Sequence, residues 1–368
     1  MEIRAATADD DDAVLALLQA SMGWVPDEQY TRFFAWKHRE NPFGPSPAWV
    51  AIEDGRVVGF RTFLRWQFAR DDATVDAVRA VDTATHPDYQ GRGIFSKLTY
   101  HALDELMELG VAFVFNTPND NSRPGYLKMG WRLVDRLAVA ARPRSPLSLV
   151  RLARARTPAD KWSTGCSTGL PAPEALADET AVATLLDRLG PRAPGGPLAA
   201  ERPDSTRADV TNQPARADAD TGTDAGSPRT GASAHADDGS RLRTRRSPGY
   251  LRWRYGFPPL RYRAVAAPGG LADGLVIFRL RRRGGATEAA ICEVLVPGND
   301  RGLTRRLLGQ VLRGSSADHA VMLGPARPSL GFLPVPGQGP TLVWRAVGET
   351  TPPPSTGWDL ALGDIELF

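Results

Sequence analysis

The chain is poor in residues that staple or ligate. Its two cysteines, Cys166 and Cys292, stand far apart in 368 residues, which excludes a disulfide framework and a cysteine zinc site. The five histidines, His38, His86, His101, His235 and His319, are scattered. They offer neither a metal-ligand spacing nor a Ser-His-Asp arrangement. Lysine is scarcer still, with only Lys37, Lys97, Lys128 and Lys161, so the positive charge is nearly all arginine. A net charge of +3 is too small to argue for nucleic acid. No apolar run approaches the roughly 18 residues of a membrane span. The start, MEIRAATADDDD, has neither the basic nor the apolar region of a secretory signal. These absences predict a cytoplasmic protein in a reducing compartment, with no membrane, metal or nucleic-acid partner.

What is present is an ordinary globular composition, 42% hydrophobic and 24% charged, long enough for two or three domains. Glu2 to Ala6 reads as a strand. Asp9 to Asp12 lead into a helix whose acidic first turn suits the dipole. A second helix is predicted from near Pro26, with Tyr30, Phe33, Phe34 and Lys37. Trp49 to Ile52 and Val57 to Phe63 flank Asp54-Gly55, a hairpin signal. A strand follows over Val75 to Thr85, then a helix over Gly91 to Leu109, with Gly110 as its C-terminal glycine. Val111 to Phe115 and Arg132 to Ala140 read as two further strands. The order β-α-α-β-β-β-α-β-α-β predicts an α/β protein with a mixed sheet flanked by helices.

The informative stretch is TATHPDYQGRGIFSK, residues 83–97, where a strand gives way to a glycine-rich turn and a helix. Such a turn presents unpaired N–H groups and the positive end of a dipole, which is an anion site. Gly91 and Gly93 allow close backbone approach, and Arg92 adds charge. Gln90-Gly91-Arg92-Gly93-Ile94-Phe95 resembles the Q/R-x-x-G-x-G/A pyrophosphate loop of the GCN5-related N-acetyltransferases, the GNAT superfamily. Phe95 departs from the usual Gly or Ala and resembles the tandem acetyltransferases of the Eis type. A second segment agrees: Asn119, Ser122, Tyr126, Gly130 and Trp131 resemble the family's N-x-x-A/S-x-x-x-Y-x-x-x-G-F.

The remainder carries a fainter copy. Phe34-Ala35-Trp36-Lys37 is echoed by Tyr250 to Arg254, Gly59-Phe60-Arg61 by Gly274 and Val276 to Arg279, and Gly125-Tyr126-Leu127 by Gly331-Phe332-Leu333. Slowly drifting offsets suggest a duplicated domain. The second copy has no Q-x-x-G-x-G spacing and has Phe332 in place of the tyrosine, so it is expected to be structural and to bind no cofactor. The division predicted is 1–141 as the cofactor-binding GNAT domain, 142–190 as a connector opening the second domain, 191–247 as a disordered insertion, 248–347 as a degenerate GNAT-like domain and 348–368 as a tail. The insertion is rich in Pro, Gly, Asp, Ser and Thr and has too few large apolar residues to offset ordering entropy. Its end, Arg241 to Arg246, reads as a solvated flank in preference to a nucleic-acid patch. A helix over Glu174 to Leu189 is expected to precede Trp253, as residues 11–20 precede Trp36.

The resemblance implies acetyl-CoA as cofactor and a primary amine, on a small molecule or a protein, as acceptor. It assigns the pyrophosphate to Gln90, Gly91, Arg92, Gly93, Ile94 and Phe95. It gives the pantetheine to the main chain of Thr83, Ala84 and Thr85, the CoA arm to Asn119 and the general acid to Tyr126. For the base there are two candidates. Asp82, placed by alternation on the strand face of Val78, Ala80 and Ala84, is expected to be desolvated with a raised pKa, or else to pair with Arg79 or another arginine. The tail from Trp358 to Phe368 is apolar enough to dock, and Eis-type enzymes use a terminal carboxylate as base, which here would be that of Phe368. The alternative is a final edge strand of the second domain. Two other functions stay open: an acyl-CoA-binding regulator without catalysis, and an aminoacyl transferase of the Fem type. Homo-oligomerisation stays open as well.

Overall fold

The computed structural model describes residues 1–25, 27–70, 73–148, 151, 157–190, 241–348 and 357–366. Strand β1 (Glu2–Ala5) is followed by helices α1 (Asp11–Met22) and α2 (Glu28–His38). The acidic run acts as a cap: Asp10 forms a capping box with Thr7 and takes two 2.8 Å hydrogen bonds from Arg4. Helix α2 starts at Glu28, where the Asp27 carboxylate accepts from the Tyr30 N–H. Pro26, expected in its first turn, lies outside the described residues. The hairpin forms as expected from β2 (Ala48–Glu53) and β3 (Arg56–Arg70), with Asp54 and Gly55 both at positive φ. Then come β4 (Ala73–Thr85), α3 (Ile94–Glu108), β5 (Phe113–Asn116), α4 (Arg123–Lys128), β6 (Arg132–Arg136) and β7 (Val139–Pro143).

The second half repeats the pattern. It runs β8 (Leu170–Pro171), α5 (Ala172–Ala175), α6 (Glu179–Leu189), β9 (Leu242–Thr244), α7 (Pro248–Gly256), β10 (Arg263–Ala267), β11 (Gly270–Arg283) and β12 (Ala286–Leu295). It continues with α8 (Arg301–Gly314), β13 (His319–Leu323), β14 (Leu333–Pro334), β15 (Thr341–Ala346), β16 (Trp358–Asp359) and α9 (Leu362–Ile365). The helix expected over 174–189 is thus two helices, broken at Asp178, whose carboxylate caps the N-terminus of α6.

The two halves exchange strands. The first sheet is ordered β1-β2-β3-β4-β5-β15-β6, and the second β14-β7-β13-β12-β11-β10-β8. Each half therefore lends strands to the other: the second half gives β15, β9 and β16 to the first sheet, and the first half gives β7 to the second. The single strand expected over Arg132 to Ala140 is corrected here: β6 and β7 lie in different sheets. The chain crosses at Leu137, whose N–H donates to Pro340 O at 2.9 Å.

At the centre, Trp36 and Trp253 stack with ring centroids 5.3 Å apart. Each indole N–H donates to the other residue's carbonyl at 2.8 Å. The two residues that carried the clearest internal echo thus mark a pseudo-two-fold relation between the halves.

The Arg241–Arg246 flank is a second correction. Strand β9 pairs with the end of β3 and, in parallel, with β16. Arg243 meets Asp359 at 3.0 Å, and Arg246 meets Glu293 at 3.1 Å and Asp364 at 3.4 Å, all with buried side chains. Composition cannot show carboxylates supplied from so far along the chain. The tail, from Trp358 to Glu366, is buried, as expected of a docked segment, although its strand joins the first sheet. Residues 191–240 and Phe368 lie outside the described residues.

Replacing Trp36 by Phe removes one donor and strands the buried Trp253 carbonyl, which costs about 1–3 kcal/mol. Urea unfolding of Trp36→Phe, Trp253→Phe and the double variant checks this. The double variant should lose less than the sum of the singles, because the two bonds close one ring of contacts.

Candidate active site

The site begins with a backbone irregularity. On β3, Phe60 pairs with Ala84 and Thr62 with Val81, so Arg61 alone faces both Asp82 and Thr83. This is a β-bulge, with Asp82 at φ 39°. The parallel pairing of β4 with β5 stops at Arg79 and Phe115. Strand β5 ends one residue later, at Asn116, and residues 80–85, unpaired on that side, line a cavity of about 1080 Å³.

The bulge also shifts the phase of side chains along β4. Val78 and Ala80 pack with α3 residues Ile94 and Leu98, whereas Ala84 packs with α1 and α2, and Asp82 reaches Lys37 and His38 of α2. Strict alternation had put all four on one face; the extra residue overturns that. Asp82 accepts from Lys37 Nζ at 2.6 Å and lies 2.9 Å from His38 Nε2. Among the described residues neither Arg79 nor another arginine takes this role. Burial opposes ionisation of Asp82, but the Lys37 ammonium and the His38 contact outweigh it and hold the carboxyl well below the usual range. The expected raised pKa is therefore corrected. A carboxylate spent on two donors is a poor proton acceptor.

On the other face, Tyr126 of α4 is 5% exposed and lines the cavity. Its oxygen accepts from Arg61 Nη1 at 2.8 Å, and Arg61 also donates to Thr83 Oγ1. The Arg61 guanidinium is fully buried, and among the described residues its Nε and Nη2 have no hydrogen-bond partner. It lies over the rings of Phe63, Phe95 and Tyr126 at 4.3, 5.4 and 5.3 Å. Among the described residues no carboxylate pairs with it. Phe95 packs edge-on to Tyr126 with centroids 5.5 Å apart, so the bulky residue in the loop motif positions the phenol. Arg61 was visible in the sequence only as an echo of Arg279. A charged residue inside the apolar run of β3 was the signal that could have found it.

The glycine loop is built as expected. Gly91 and Gly93 have φ of 77° and 73°, and Gly93 is the N-cap of α3 with no side chain to bond the first N–H groups. Gln90, Gly91, Gly93, Ile94 and Phe95 line the cavity, as do Thr83, Ala84, Thr85 and Asn119. Arg92 does not; it turns outward to Glu53 at 3.3 Å and over the Tyr89 ring at 4.7 Å. The Asn119 side chain accepts from the Ser122 N–H at 2.9 Å, shaping the turn before α4. The loop and the helix terminus fit a phosphate, and the open edge of β4 fits an extended amide-bearing arm.

The tail comes close to this cavity. Arg79 donates to the carbonyls of Asp364 and Ile365 and to Thr117 Oγ1, and Thr117 lines the cavity wall. Phe368, the other candidate base, lies outside the described residues.

An acid whose pKa is depressed on folding stabilises the protein above its unfolded pKa, and that contribution is lost as pH falls. Wild-type stability should therefore decline below about pH 4, near the unfolded value for Asp. Asp82→Asn should be less stable at pH 7 and show a shallower acid limb. Thermal melts from pH 3 to pH 7 check this.

Comparison with known proteins agrees with this geometry. A family model for the acetyltransferase (GNAT) domain matches residues 2–134. Among solved structures, a probable N-acyltransferase of Enterococcus faecalis V583 superposes with a TM-score of 0.60 at 12% identity, covering 94% of this chain and 72% of that one. A GCN5-related N-acetyltransferase of Anabaena variabilis gives 0.56 at 12% identity, with 94% and 73% covered. Eis1 of Mycobacterium abscessus gives 0.53 at 14% identity, with 94% and 74% covered. No curated protein matches the sequence. Residues 2–134 therefore match the GNAT acetyltransferase domain model, and the chain as a whole has the fold of the solved GNAT structures.

Proposed function

We propose that the chain transfers an acetyl group from acetyl-CoA to a primary amine in the cavity between β4 and β5. The observation that carries this reading is the convergence of three features on one cavity: the Gly91–Gly93 turn at the start of α3, the unpaired edge of residues 80–85, and Tyr126 bonded to Arg61. The first would hold a pyrophosphate. The second would pair with the pantetheine amides and orient the thioester. The third would serve the leaving group.

In this reading the acceptor nitrogen attacks the thioester carbon, the C–S bond breaks, and Tyr126 gives its proton to the departing sulfur. The phenol oxygen takes on negative charge as the proton leaves, and the Arg61 guanidinium stabilises that charge through its existing 2.8 Å bond. Since Asp82 is committed to Lys37 and His38, the proton of the acceptor amine leaves through water in the cavity. An acyl-CoA-binding regulator would use the same loop, yet its output would not depend on Tyr126.

Gly93→Glu places bulk and negative charge at the phosphate site and should abolish acetyl-CoA binding in calorimetry. Gly302→Glu in the first turn of α8 should leave it intact. Two CoA sites per chain would contradict this assignment.

Tyr126→Phe should keep acetyl-CoA affinity and lower kcat by roughly 10²–10⁴-fold, the range for a lost positioned acid. A thiol-release assay with a panel of amines measures it, and full activity in the Phe variant would return Tyr126 to packing.

A further inference from the structure

One cation in the cavity has no role so far. Lys161, from the connector before β8, lines the cavity beside Ser21, Trp24 and Asp82. Its Nζ sits in an aromatic box, 4.9 Å from the Trp24 ring, 4.8 Å from Tyr30, 5.0 Å from Phe33 and 5.9 Å from Trp162. These π faces stabilise the ammonium but accept none of its three N–H bonds in the way a carboxylate would. Among the described residues no carboxylate or carbonyl takes a hydrogen bond from it. Burial first, then Lys37, bring its pKa down to about 8, so the group is charged at neutral pH.

Its position places it at the acceptor end. The groups that feel its charge are Lys37 and Asp82 on the α2 face of the sheet, whereas the glycine loop and Tyr126 belong to the α3 face. Among the described residues, Asp82 and Lys161 are the only charged ones lining this cavity, and Asp82 is neutralised by Lys37 at 2.6 Å. The charge left facing an acceptor is therefore positive. An adjoining cavity of about 560 Å³ shares Thr117 and is lined by Arg281, Arg283, Glu288 and Glu366. Among the described residues it offers no free anion either: Glu288 meets Arg281 and Arg283, both at 2.7 Å, and Glu366 meets Arg279 at 3.0 Å and Arg254 at 3.5 Å.

We propose that Lys161 is an acceptor-binding residue that selects amines carrying a carboxylate, so that the substrate class is amino-acid-like and not polycationic. This rests on the acetyl-transfer reading above, and it names which amines that site takes. A polycation would bring further positive charge to a wall without an available acid. An amino acid would set its carboxylate against the unused N–H donors of Lys161 and leave its amine directed at the thioester.

The test uses matched sets of acceptors: α-amino acids, their carboxamides, the corresponding amines without the carboxyl group, and spermidine. Wild-type protein should prefer the acid to its carboxamide by at least about tenfold in kcat/KM, the effect of one well-placed charged hydrogen bond. Lys161→Met keeps the volume inside the aromatic box and should reduce that ratio to near unity with acetyl-CoA affinity unchanged, while Lys161→Arg should retain a preference. Equal rates for acid and carboxamide, faster transfer to spermidine, or a preference that survives Lys161→Met would overturn the proposal. A second arm does not depend on turnover: calorimetry of CoA-loaded protein with N-acetyl amino acids and N-acetyl amino amides. Tighter binding of the acid, lost in Lys161→Met, supports the proposal even if no amine is acetylated, an outcome that would sink the acetyl-transfer reading alone. Equal binding of the two overturns it.

Discussion

One residue of β3 facing two of β4 is the constraint on which the site depends. Arg61 opposes both Asp82 and Thr83, a bulge just beyond the point where the β4–β5 ladder stops at Arg79 and Phe115. The same irregularity sends Asp82 to α2 and Thr83 to Arg61 and Tyr126. The directions taken by Asp82 and Thr83 thus follow from a single extra residue. The second sheet carries a bulge of its own at Cys292 of β12, and there the chain itself occupies the neighbourhood. Gly363 lies so close to the Tyr255 hydroxyl and the Cys292 carbonyl that a side chain would not fit, and Glu366 comes within 3.2 Å of Cys292 Sγ.

The two halves also handle their equivalent cations differently. Arg279 of the second sheet is held by Glu366 at 3.0 Å, whereas among the described residues its counterpart Arg61 has only hydroxyl groups and aromatic rings. A buried charge without a carboxylate is costly. The divergence of the two copies is therefore legible in their counterions as well as in the loss of the glycine loop.

Much of this was visible in the sequence. The Gly91–Gly93 turn, the start of α3 and Tyr126 obey local rules, which act over a few residues and survive in a linear reading. The duplication was legible because Trp36 and Trp253 are large and their surroundings similar. What escaped was set by partners distant in sequence. The phase of Asp82 was misjudged because a bulge leaves no compositional mark. Arg243 and Arg246 looked solvated because their carboxylates lie on β12, β16 and α9. The β6–β7 run reads as one strand because each piece is a good strand, and only the exchange of sheets separates them. Lys161 carried no motif; its box is assembled from α2, the segment before it and the connector.

The strand exchange sets an order of events for a chain emerging from the ribosome. The first sheet lacks its neighbour for β5 until residues 341–346 have been made, so the GNAT half must wait, with an open edge between β5 and β6, through most of translation. Contacts that close so late in the sequence are slow to form and leave strand edges exposed to wrong partners. The first half is thus not a separable fragment: a chain ending near residue 141 would present β7 with no sheet to join and leave β5 unpaired on one side. Selection on the remote second copy, even at positions that never approach the cavity, is in this way selection on the integrity of the first.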